Sequence, residues 1–172
     1  YTVDTERGGS KYLSTHSNDA ENSDASLITS FNSDGFSLGN TYANQADDLV
    51  AWTFRKAPGF FDVVTYTGNG QSGHNISHSL GSVPGCIIVK RTDASDGWAV
   101  YHKNTEGLFS YDPANNLATF LHSSNNASGS TSYWNDTTPT SSVFTLGSNT
   151  LVNGSGMSYV AYIFASDSYT FG

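Results

Sequence analysis

The chain has 172 residues, enough for one ordinary domain or two small ones. Its formal charge of -8, with only 7 Lys and Arg, excludes the basic footprint that nucleic-acid phosphates require. No apolar run approaches the ~18 residues of a membrane-spanning helix, so no membrane insertion is expected, and with 13% aromatic residues the composition is that of a folded chain.

Tyr1 opens directly into polar, strand-like sequence with no signal-peptide pattern. Leu27–Phe31 reads as a strand, Asn32-Ser33-Asp34-Gly35 as a turn whose last two residues tolerate positive φ, and Phe36-Ser37-Leu38 as the returning strand. Asp48–Phe54 is expected to be a buried strand. Ala57-Pro58-Gly59 punctuates, and Phe60–Thr67 is aromatic and β-branched, a further strand. Gly68–Gly73 is a loop, Ile76–Leu80 alternates, and Val83-Pro84-Gly85 is a turn. Cys86–Lys90 is the clearest buried strand, with Trp98–His102 as its hairpin partner. Strand-like segments follow at Gly107–Tyr111, Leu117–Leu121, Val143–Gly147 and Tyr159–Phe164, around a Ser/Asn/Gly loop at Asn125–Ser132. No window of ten residues carries a helical period. The fold expected is all-β, an antiparallel β-sandwich of jelly-roll-like type.

Much of the sequence occurs twice. Tyr12-Leu13 matches Phe120-Leu121, Asn18 matches Asn126, Ser33 matches Ser141, and Phe36-Ser37-Leu38-Gly39 matches Phe144-Thr145-Leu146-Gly147, all at one offset of about 108 residues. After a two-residue insertion, Val50-Ala51-Trp52-Thr53-Phe54 matches Val160-Ala161-Tyr162-Ile163-Phe164. Side-chain type is kept at alternating positions, as sheet packing requires. Residues 1–57 are therefore read as the C-terminal half of a repeat unit, 58–167 as a complete unit, and 168–172 as the start of another. The stretch Ile76–His102 has no counterpart in residues 1–57. A half-unit alone leaves an apolar face and sheet edges open, so either the chain is cut from a longer tandem protein or neighbouring subunits complete it by strand addition.

Motifs that could carry chemistry are weak. Gly68-Asn69-Gly70-Gln71-Ser72-Gly73 matches a dinucleotide-binding fingerprint, but the sequence after it alternates with period two instead of opening a helix. His74 and His78 would share a face only on a helix, and no third ligand stands at metal spacing. Asp93 with Asp96, and Asp4 with Glu6, lack the dense oxygen series of a calcium loop. There is no G-x-S-x-G elbow, and no carboxylate pair is flagged for glycoside cleavage. Asn75, Asn126, Asn135 and Asn153 open N-x-S/T triplets, a frequency chance supplies in so Ser/Thr-rich a chain. Cys86 is a lone thiol in an apolar run, without a disulfide framework. No catalytic, cofactor or metal residue is assigned, and no enzyme is expected. Trp52 and Trp98 lie in apolar alternation and are expected in the core. Tyr133-Trp134, in a polar loop, is the candidate surface contact for a sugar; the competing reading has both rings fold down as a cap.

Several segments together resemble a known domain: Val3–Gly8, Phe31–Gly39, Val50–Gly68, His78–Lys90 and Trp98–His102. They resemble the tandem β-rich repeat domain of virion-associated tail-fibre or appendage proteins from marine and cyanobacterial tailed bacteriophages. The resemblance spans nearly the whole chain and supplies no catalytic residues. That family's pattern places a strand pair ahead of the Val-Asp-Thr-x-Arg-Gly segment, which implies that Tyr1 is not a natural start. It further implies a structural protein of the virion, outside the cell, that assembles with copies of itself or other virion subunits and contacts host-surface glycans. A lectin-like carbohydrate-binding module of a longer extracellular protein is the alternative.

Overall fold

Sequences that are apolar at every position form strands covered on both faces, whereas alternating ones form strands with one wet face. Tyr159–Ala165 and Cys86–Val89 are of the first kind, and the architecture grows from them. The computed structural model describes residues 1–39, 50–105, 117–121 and 128–166. In the N-terminal part, β1 (Lys11–Tyr12) pairs with β2 (Asn22–Ser23), and β3 (Ile28–Phe31) with β4 (Phe36–Leu38). There follow β5 (Phe61–Thr67), β6 (His74–Ser77), β7 (Pro84–Arg91), β8 (Trp98–His102), β9 (Leu117–Phe120) and β10 (Ser128–Gly129). A four-residue helix α1 (Thr131–Trp134), strand β11 (Val143–Leu146), a second four-residue helix α2 (Thr150–Asn153) and strand β12 (Ser158–Ala165) follow, and a 3-10 turn at Lys103–Thr105 ends β8.

The fold is all-β and antiparallel. A six-stranded sheet in the order β10-β9-β8-β7-β12-β5 forms its centre. β12 lies between β5 and β7, with Tyr162 opposite Val63 on one side and Ile88 on the other. Its side chains alternate. Tyr159, Ala161 and Ile163 enter one core with Ile87, Val89 and Tyr101. Val160 and Tyr162 enter another with Phe61, Val63 and Trp98. The first face is closed by the β6–β11 ribbon, through Ile76, Phe144 and Leu146, and by Trp134 and Val152 of the two short helices.

The second face is closed by the N-terminal segment of the same chain. Leu13 is fully buried in that core. Trp98 Nε1 donates to the Ser17 carbonyl at 3.0 Å, and main-chain bonds Glu21 N–Thr92 O and Asp96 N–Asn18 O fasten the segment to the β7–β8 turn. Above Tyr162, Arg7 donates from Nε to Asp4 Oδ2 at 2.7 Å and from Nη1 to Glu21 Oε2 at 3.0 Å, while the Tyr162 hydroxyl donates to Asp4 Oδ2 at 2.8 Å. Much of the apolar surface expected to stand open in residues 1–57 is thus covered from within. The expected strands at Leu27–Phe31, Cys86–Lys90 and Trp98–His102 are present. Gly107–Tyr111, Asn125–Ala127 and 168–172 lie outside the described residues.

Lys90 is the unexpected member of this core. Its side chain is fully buried, with Nζ donating to the Arg91 carbonyl at 2.6 Å and lying 6.0 Å from the Trp98 ring centre. Burial lowers its pKa to about 8, against the pull of Asp96. Between that value and the unfolded pKa of ~10.4 the unfolded chain binds more protons, so stability rises with pH. Tyr66 and Tyr162, pushed up by burial, act in the opposite sense near pH 10. Urea titrations from pH 7 to 9 should show the stability of the native chain rising relative to Lys90→Met, by on the order of 1 kcal/mol; parallel curves would show that Lys90 is charged at no cost. In the same assay Leu13→Ala should cost about 2–4 kcal/mol, as for a buried leucine with no room to collapse.

Candidate assembly surface

The residues singled out in the sequence are mostly committed inside the fold. Ser130 caps α1 by accepting from Ser132 N, and Asn135 ends it in the left-handed conformation at φ 54°. This one turn rolls Tyr133 and Trp134 inward. Both are buried, and Trp134 Nε1 donates to the Leu117 carbonyl at 3.1 Å. The candidate surface contact Tyr133-Trp134 is therefore corrected: the rings cap the first core, because a polar loop around an aromatic pair can close as a capped helical turn and bury both.

The glycine-rich loop is filled by a side chain. Asn153, fully buried at the end of α2, donates from Nδ2 to the carbonyls of Gly147 (2.7 Å) and Gln71 (2.9 Å), and accepts at Oδ1 from Asn69 N and His74 Nδ1. A strand, β6, follows the loop. His78 lies flat against Phe144 with ring centres 6.4 Å apart, so the two histidines serve different neighbours. Asp93 pairs with Arg91 at 2.6 Å, Asp4 with Arg7, and Glu6 with Lys56 at 2.8 Å. Among the described residues no three His, Cys, Asp or Glu side chains converge. A cleft of about 380 Å³ beside the second face is lined by Arg7, Glu21, Thr65, Thr67, Thr92 and Ser158, and its two charges already neutralise each other.

What stands free is apolar. Val50 and Trp52 are each 83% exposed and Phe54 is 49% exposed, in a stretch with no strand pairing over residues 50–56. The expected buried strand over Asp48–Phe54 and the expected core position of Trp52 are both corrected; residues 48–49 lie outside the described set. The physical reason is partnership. The matched stretch Val160–Phe164 has β5 and β7 on its flanks, whereas residues 50–54 have no flanking strand among the described residues. Leaving Val and Trp in water forgoes about 1.5–3 kcal/mol for each. Among the described residues its anchors lie at the Phe54–Lys56 end. Lys56 reaches Glu6, Asp62 (3.1 Å) and the Val63 carbonyl, and the Phe54 ring rests on Phe61 and Phe164 at 5.6 and 5.4 Å.

Compared with known families, the chain matches over residues 1–170 the model of a domain of unknown function (DUF7483). Neither the curated proteins nor the solved structures yield a match.

The contrast between the tryptophans is measurable. Trp134→Ala should lower unfolding free energy by about 3–5 kcal/mol, as for a filled core site. Trp52→Ser should change it by less than about 0.5 kcal/mol while removing the red-shifted part of the tryptophan emission. Equal costs would contradict the placement of the two rings.

Proposed function

We propose that this chain, which belongs to the DUF7483 family, is a structural protein of a bacteriophage virion: a fibre or appendage segment that assembles through β-rich contacts. The observation that carries this reading is the run Val50, Trp52 and Phe54, standing in solvent with no strand pairing over residues 50–56. A strand-like apolar segment without a partner is a template for pairing with another chain or unit. The chain as a whole is rich in Ser, Thr and Asn and only 13% charged, a composition that suits repeated β contacts.

The resemblance to virion-associated β-rich repeat domains supports the same role and adds its setting. The protein sits on the outside of the particle, beside other virion subunits or copies of itself, where host-surface glycans are within reach. The lectin-like alternative is weakened by the burial of Tyr133 and Trp134, which leaves Trp52 as the exposed tryptophan of the three.

Mass spectrometry of purified tailed-phage particles produced from a genome encoding the chain should recover it at the copy number of a structural component. Its absence from the particles, together with saturable binding on a glycan array that Trp52→Ser abolishes, would replace the virion role by the lectin role.

A further inference from the structure

The exposed run has a described counterpart elsewhere in the chain. Val50-Ala51-Trp52-Thr53-Phe54 matches Val160-Ala161-Tyr162-Ile163-Phe164, which is the heart of β12. In β12, Val160 stands between Thr65 and Lys90, Tyr162 between Val63 and Ile88, and Phe164 between Phe61 and Cys86. The match thus specifies what covers such a strand: a β5-type strand on one side and a β7-type strand on the other.

Two further observations agree with the match. Gly39 and Gly147 occupy equivalent positions, each directly after a Phe-x-Leu strand. At each, a Cβ would strike backbone carbonyl groups of the element packed behind it, that of Ser26 in the turn before β3 for Gly39 and those of Thr131 and Ser132 in α1 for Gly147. The other observation is reciprocal. Leu13 is fully buried beneath the sheet of residues 58–165, whereas its match Leu121 is 52% exposed. The leucine of one half-unit covers the sheet that follows it, while the equivalent leucine of the next stands half-exposed.

A second copy of this chain has no vacancy between β5 and β7, because its own β12 fills that place. The occupant must be a unit of the same design that lacks its last strand. We propose that residues 50–54 form the central strand of an adjoining repeat unit's sheet, flanked by that unit's β5-type and β7-type strands in the register of Val160–Phe164. This rests on the assembly reading above and names its partner: units join head to tail, each contributing the last strand of the unit before it.

The register makes the inference testable with one cysteine. Phe164 is the partner of Cys86, so Phe54 should face the equivalent cysteine of the added unit. Directly opposed residues of antiparallel strands lie within disulfide reach, whereas residues one step along point to the other face. A second copy of residues 58–108 is placed directly ahead of Tyr1, at the junction the repeat offset dictates, and the original Cys86 is changed to Ser. With oxidised glutathione, Phe54→Cys should then form an intramolecular disulfide with the added cysteine, at least about tenfold more than Thr53→Cys. In the fusion without these changes, hydrogen exchange at residues 50–54 should slow at least about a hundredfold against the unfused chain, and Trp52 emission should shift to the blue.

Equal trapping at both positions, unchanged exchange at 50–54, or an added copy that stays unfolded beside its supposed last strand would each overturn the proposal. So would protection of residues 50–54 that appears in the unfused chain as its concentration is raised, since that is strand addition to a second copy. None of these outcomes bears on whether the chain is found in virions, so the two readings fail separately.

Discussion

The second face of the sheet depends on how one buried guanidinium is satisfied. The Arg7 side chain is 4% exposed, and taking such an ion out of water costs several kcal/mol unless every donor is used. Here Nε goes to Asp4, Nη1 to Glu21, and Nη2 to the Thr2 carbonyl and the Tyr162 hydroxyl. Burial pushes the Tyr162 phenol pKa up, Arg7 opposes this, and Asp4 adds to it, so the hydroxyl stays neutral and donates to Asp4. Because Tyr162 belongs to the strand between β5 and β7, the cluster ties residues 2–21 to the middle of the sheet, and Leu13 drops into the core beside it.

The first face uses a different device. Its closing elements are short and irregular, and their backbone groups must be paired without long ladders. Asn153 answers most of this need by joining three loops with one amide. The Tyr159 hydroxyl does the same on a smaller scale, accepting from Gly154 N at 2.8 Å and donating to the Thr150 carbonyl. These polar atoms are spent on holding the scaffold. Among the described residues the two most exposed large apolar side chains, Val50 and Trp52, lie in the run 50–54.

Much of this was legible in the chain. β7, β8 and β12 are each built on an apolar run (Cys86–Val89, Trp98–Tyr101, Tyr159–Ala165), the β3–β4 hairpin is announced by Asp34-Gly35, and Trp98 sits in the core as its alternation requires. Trp52 was misplaced for an instructive reason. Its neighbours alternate as well as those of Tyr162, but alternation encodes a strand's faces and not whether flanking strands exist. Tyr133 and Trp134 were hidden by length, since a four-residue helix has no period to read. The docking of Asp4 and Arg7 on Tyr162 joins residues more than 150 positions apart, which no local pattern reveals. Lys90 looked like the polar end of a strand, and only the N-terminal segment above Trp98 makes it interior. The repeat was the one long-range signal in the sequence, and it is also what gives the exposed run a meaning.

β12 is central in the sheet yet follows β5, β7 and β8 in the chain. During synthesis those strands emerge with the place between β5 and β7 empty, and the segment that will close their second face has already been made. Neither core can form until residues 158–165 arrive, so folding is governed by contacts of long sequence separation and is slow to commit. In a head-to-tail series the same order repeats: each sheet waits for a strand encoded well downstream, and closes only as the next unit begins.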